Sequence, residues 1–194
     1  MMRRSVLLSA LALGLGMLAV PTAELRAESA ERRVERFDVK TEKRTFGAAR
    51  AIVLAPETVV RSVVTDYDKY PSFITRFRAA KIVGRVGDKT DVYLQVPIMK
   101  GTVKIWAVVR FDPPKTVGNQ QVITGKMLKG NVKHLDAVWR IRKLDTERTE
   151  LTLELAIVPG FPMPDSVVMP ELRQAAARAV TGTRDEAERR ATSS

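Results

Sequence analysis

The sequence predicts an α+β domain with the element order β-α-α-β×6-α, a single curved antiparallel sheet closed against a long C-terminal helix. Three observations predict it. Val59, Val60, Val63, Val64 and Tyr67 recur at helical spacing, the apolar residues then switch to period two from Ala79 to Val158, and an alanine-rich stripe follows Pro164. A chain of 194 residues with 45% apolar content can bury one full core, and no internal repeat is visible.

The chain opens with Arg3-Arg4, an almost wholly apolar run of 16 residues from Ser5 to Val20, and a stretch of small residues up to Ala30. This is the pattern of an export signal, assigned to residues 1–27 with Ala27 as the favoured cleavage site. The apolar run is shorter than the roughly 20 residues a spanning helix needs. Arg3-Arg4-Ser5-Val6-Leu7 also fits a twin-arginine signal, so the export route stays open. Cysteine is absent, which excludes disulfides, thiol chemistry and lipoprotein acylation. The expectation is a periplasmic or secreted protein after signal cleavage.

Residues 28–45 form a charged lead-in whose apolar points, Val34, Phe37 and Val39, suit an edge strand, and residues 46–190 form the domain proper. Phe46 to Leu54 reads as a strand, and Pro56 opens a helix whose valines need a packing partner because valine is a poor helix former alone. Pro71 is expected to stop that helix, with a second short helix or turn over residues 72–76. Alternation then marks strands around Val92–Ile98, Val103–Phe111, Leu135–Ile141 and Leu151–Ile157, punctuated by Gly87-Asp88, Lys100-Gly101, Pro113-Pro114 to Gly118-Asn119, Lys129-Gly130-Asn131 and Asp145-Thr146. A final helix is expected from about Pro164 to Arg189, with Asp165 and Ser166 as caps and Pro170 softening its start.

Taken with that order, Ala55-Pro56-Glu57-x-Val59 followed by Asp66-Tyr67-x-x-Tyr70-Pro71-x-Phe73 resembles the START-like superfamily of helix-grip proteins. The resemblance is to the branch that groups polyketide cyclases, coenzyme Q-binding proteins and lipid-transport domains, and it spans roughly Phe46 to Arg189. It implies a cavity between the concave sheet and the C-terminal helix for a lipid or other hydrophobic small molecule. It implies no universal catalytic residue and no cofactor.

On that reading the cavity wall draws on Leu94, Val96, Ile105, Val109, Leu135, Trp139, Leu153 and Leu155 from the sheet, and on Ala175, Ala176 and Ala179 from the helix. Alanines fit two arrangements: they leave room for a ligand, or they let the helix approach the sheet closely and fill the space. Phe161 and Met163 sit where an entrance loop would lie, either to touch a membrane and gate the mouth or to pin the helix start.

The remaining chemistry narrows by elimination. His134 is the only histidine, which with no cysteine leaves little for a transition metal, and no nucleophile elbow, phosphate loop or dinucleotide fingerprint occurs. Tyr93, Asp136 and Arg140 fall on the wet side of the alternation, so no catalytic residue is assigned, and a cyclase or dehydratase acting in the same cavity is the alternative to a carrier. A non-catalytic envelope interaction module is the third reading. Net charge is +11, and loss of residues 1–27 removes three arginines and one glutamate to leave +9. Such a surface favours anionic partners, and Lys126, Lys129 and Lys133 around one hairpin form a candidate patch for an anionic membrane. No aromatic stacking series accompanies them, so nucleic acid is not a partner on this reading.

Overall fold

The protein is described by a computed structural model over residues 33–98 and 103–193; the expected export segment 1–27 and the Lys100-Gly101 turn lie outside the described residues. Nine strands among the described residues form one antiparallel sheet: β1 Glu35–Lys40, β2 Thr45–Val53, β3 Ala79–Val86, β4 Lys89–Ile98, β5 Val103–Phe111, β6 Lys115–Val117, β7 Gln120–Gly130, β8 His134–Lys143 and β9 Thr149–Val158. The order across the sheet is β1-β2-β9-β8-β7-β5-β4-β3, with β6 paired to β7. Two strands therefore precede the helices and seven follow, against the one and six expected. The additional pieces are β1, supplied by the charged lead-in, and β6, three exposed residues within the span read as a turn.

Between β2 and β3 lie α1, Glu57–Val64, a 3₁₀ turn, Tyr67–Lys69, and α2, Tyr70–Phe73. α1 buries Val60, Val63 and Val64 completely. It ends seven residues before Pro71, where the Thr65 hydroxyl donates to the Arg61 carbonyl at 2.9 Å. Pro71 instead stands in the first turn of α2, where its missing N–H breaks no helical bond, so it starts the second helix rather than stopping the first. The two aspartates of this corner tie it down. Asp66 pairs with Arg190 at 2.8 Å, and Asp68 accepts the Ile82 N–H at 2.6 Å.

The C-terminal helix α3 runs unbroken from Asp165 to Thr192 and carries Pro170 inside it. Its N-cap is Pro164, without a side-chain cap; Asp165 belongs to the first turn, where its charge suits the positive end of the helix, and Ser166 does not cap. What fixes α3 is contact with small residues. A methyl group built on Gly47 of β2 would lie 2.6 Å from the Leu172 Cβ and 2.7 Å from the Arg173 nitrogen, and one on Gly182 would overlap the Phe73 carbonyl. Ala49 and Ala51 continue the inner face of β2, so the helix lies almost on the backbone of that strand. Arg36–Gln174 at 2.7 Å and Asp38–Arg173 at 2.8 Å fasten β1 to the same stretch of helix.

The opposite face of the sheet is ordered by charge. Arg140 grips Glu154 at 2.6 and 3.3 Å, Arg142 grips Glu150 at 3.1 and 2.9 Å, and Arg110 grips Asp91 at 2.7 Å on both oxygens. Fork-to-carboxylate geometry of this kind is the strong form of the ion pair. The Arg110 guanidinium holds the Asp91 carboxyl below the usual carboxylate range. Gly47→Ala is expected to lower stability by about 1–3 kcal/mol through overpacking, read as a reduced urea midpoint; an unchanged midpoint would show that the helix does not sit as described.

Candidate functional site

α3 covers one half of the concave face closely and stands off from the other. Its backbone approaches β1, β2, β9 and the α1–α2 corner. Beyond that contact the sheet curves away and leaves a cavity of about 240 Å³ with an almost wholly apolar lining. An apolar void of roughly 150 Å³ already takes up benzene in preference to water, so this one is large enough for a hydrophobic ligand group.

Alternation on the strands builds the floor: Leu94 and Val96 of β4, Ile105 and Ala107 of β5, Leu135, Ala137 and Trp139 of β8, and Leu153, Leu155 and Ile157 of β9. The roof is the side of α3 that carries Val168, Glu171, Ala175, Arg178 and Ala179, which recur at three-to-four spacing. Tyr70, Ile74, Thr75 and Phe77 from the corner close one end, while Pro159 and Met163 from the loop before α3 reach the lining from the other side. Few of the lining residues carry a polar side chain group: Tyr70, whose hydroxyl is engaged elsewhere, Trp139, Thr75, Glu171 and Arg178.

Tyr70 organises the closed end. Its ring meets Tyr67, Phe73 and Phe77 edge-on at 5.6–5.8 Å, and Tyr67 stacks on Phe111 at 4.6 Å. Its hydroxyl donates to the Val64 carbonyl at 2.7 Å. Burial drives its pKa well up, with the neighbouring Tyr67 adding to the shift and the Trp139 side chain opposing it, so the group stays a neutral donor.

Ten of the expected residues line the cavity: Leu94, Val96, Ile105, Leu135, Trp139, Leu153, Leu155, Met163, Ala175 and Ala179. Three do not. Val109 is fully buried below the surface of the floor, because Gly125 on β7 has no side chain and Val109 and Phe111 fill the slot it leaves. Ala176 is also fully buried and outside the lining, one helical turn after Leu172, whose Cβ meets Gly47 of β2. Phe161 is 46% exposed and is not part of the lining. Tyr93 stacks on Trp106, Asp136 pairs with His134 at 2.7 Å, and Arg140 is bound to Glu154, all outside the cavity.

Residues 53–183, from the end of β2 into α3, match the sequence model of the polyketide cyclase / dehydrase and lipid transport family. The chain belongs to this family. No curated protein matches it in sequence. Among solved structures, it is similar to a STAR-related lipid transfer protein fragment from Xanthomonas axonopodis, with TM-score 0.67 and 11% identity over 79% of this chain and 93% of that one. The Zhui aromatase/cyclase from a Streptomyces species gives TM-score 0.60 and 22% identity over 81% and 96%. The lipid transfer and protein localization domain of human StarD13 gives TM-score 0.62 and 16% identity over 88% and 98%. At these identities the likeness is one of fold: the START-like helix grip.

Within the polyketide cyclase and lipid transport family fold, several lining residues were not among those expected from the sequence. Ile157 follows Leu155 by two residues and Val168 precedes Ala175 by two turns, so extended periodicity would have found both. Ile74, Thr75 and Phe77 sit in an irregular loop, where no period applies. Tyr70→Phe leaves the Val64 carbonyl without its buried donor, and a loss of about 1–3 kcal/mol is expected in urea unfolding; a neutral result would mean that water replaces the hydroxyl.

Proposed function

We propose that this protein is exported and binds or carries a lipid or other hydrophobic small molecule in the cell envelope, held between the sheet and α3. The observation that carries the reading is the cavity of about 240 Å³, apolar on its floor and along most of its roof, in a chain of the polyketide cyclase and lipid transport family. Carriage is favoured over turnover by the placement of the polar groups. Tyr70 is already hydrogen-bonded to Val64, and Glu171 and Arg178 stand together on the helix edge rather than beneath a bound ligand. Export rests on the sequence alone, on the basic, apolar and small-residue order of the first 27 residues.

Native mass spectrometry of the full chain, expressed in and purified from an envelope fraction, tests both parts. The expected spectrum shows a polypeptide shortened by the export segment and an additional apolar mass lost on collisional activation. A full-length mass would sink export, and repeated absence of any bound mass would sink carriage. Ala175→Trp fills the void from the roof; it is expected to weaken uptake of an apolar fluorescent probe at least ~10-fold while the urea midpoint stays within about 1 kcal/mol of the parent.

The surface beside the loop suits membrane contact. The Lys133 N–H donates to the Val158 carbonyl at 2.9 Å, which sets the β7–β8 turn, with Lys129 and Lys133, next to the chain that leads into Phe161. Leu128, Val158, Phe161 and Val167 are exposed apolar residues of these same segments. Lys126 stands farther back on β7, opposite Asp136 and near Asp112, where acidic neighbours offset it. Sedimentation with anionic vesicles is expected to fall as salt rises, because screening shortens the reach of the lysines. Changing Lys129 and Lys133 together to Ala should weaken partitioning roughly 30-fold at low salt, at about 1 kcal/mol for each. Salt-independent binding would exclude the electrostatic part.

A further inference from the structure

The cavity has one charged edge, where Arg178 is weakly partnered. Glu171, Ala175 and Arg178 follow one another along the open side of α3, and all three reach the lining. The Arg178 side chain is only 20% exposed, yet among the described residues it makes no hydrogen bond, and its ion-pair partner is Glu171 at 4.0 Å. That carboxylate is itself 56% exposed. A guanidinium carries five donors, and withdrawing it from water without acceptors is unfavourable. Burial accordingly lowers the affinity of Arg178 for its proton, and the positive charge of Arg76 adds to that effect.

Arg76 is the second unusual group. It is the one non-glycine residue with positive φ among the described residues, at +76°, a conformation that disfavours a residue with a side chain. Backbone strain of this kind, of order 1–3 kcal/mol, persists where the surroundings impose it and collects at binding sites. The loop that imposes it runs from Ile74 to Arg78: Phe77 N–H donates to the Ile74 carbonyl and Arg78 N–H to the Gln95 carbonyl. Thr75, one residue before Arg76, lines the cavity and is exposed. Arg178 and Thr75 thus lie in the lining of an apolar void, and the exposed Arg76, next in the chain to Thr75, is near enough for its charge to act on Arg178, while Glu171 offers Arg178 only a long, half-exposed ion pair.

We infer that the ligand is an amphiphile with a single anionic head, a carboxylate or a phosphate monoester, whose head is bound at the rim by Arg178, Arg76 and Thr75 while its hydrocarbon part fills the cavity. The inference deepens the carrier reading and rests on it. An anionic oxygen pair supplies the acceptors that Arg178 lacks, in the bidentate geometry to which guanidinium is fitted. It also relieves the repulsion between the two arginines. The apolar floor alone would accept a neutral ligand equally well, so the discrimination resides in these rim residues.

A matched series tests this: decanoate, decyl phosphate and decanol, each competing with a neutral apolar fluorophore for the purified protein. Decanoate or decyl phosphate is expected to bind at least ~10-fold tighter than decanol, and Arg178→Gln to remove ~10–100-fold of the affinity for the anion while decanol binding is kept. Whichever anion gains more identifies the head. Arg76→Gln, on an exposed loop, should lower anion affinity several-fold, ~3–10-fold, and serves as the second variant should Arg178→Gln fold poorly. Equal affinity for decanoate, decyl phosphate and decanol would overturn the head site and leave the apolar cavity standing. Inorganic phosphate binding as tightly as decyl phosphate would overturn the amphiphile. Failure of all three alkyl probes to displace the fluorophore would overturn this inference and the carrier reading together.

Discussion

The contact between α3 and β2 governs the rest of the architecture. Gly47 has no side chain, Ala49 and Ala51 have little, and Leu172 and Ala176 settle directly on them. Side chains normally hold a helix off a sheet, and at Gly47 none intervenes. Since the sheet is curved, a helix held close at β2 stands off from β4 and β5. The void is the geometric remainder of a tight seam, and no large residue needs to be missing to create it.

Two further devices keep the seam from shifting. Gly182 meets the end of α2, and Arg190 reaches Asp66 at 2.8 Å, so the C-terminal half of α3 is locked to the corner. The aromatic group around Tyr70 then blocks the space beneath that half. On the outer face, paired arginines and carboxylates satisfy a polar surface across β8 and β9, so Glu154 is buried without being stranded. The sheet therefore has a charged back and an apolar front, and the cavity is confined to the front.

Much of this was legible in the chain, for reasons that can be traced residue by residue. Leu135, Trp139, Leu153 and Leu155 line the cavity because strands alternate, and the alternation is written in the sequence. Val109 obeys the same alternation and still misses the lining, because its fate depends on Gly125 in a neighbouring strand, and register across a sheet is not a local property. Ala175 and Ala176 differ by about 100° around the helix, so one faces the void and the other β2; an alanine stripe wide enough to include both does not separate them. β6 was hidden because Lys115-Thr116-Val117 is short, exposed and without alternation. The rim arginines gave no sequence signal of any kind, since their significance lies in the partners they lack.

The two halves of the concave face answer to different demands. Substitution along the seam at Gly47 changes whether the helix docks at all. Substitution at Leu94, Val96 or Ile105 changes only the shape and capacity of a space that the helix does not rest upon. The fold thus separates the residues that must be inherited together from those that can drift singly. A lineage built on it can reshape the cavity by small steps without undoing the seam.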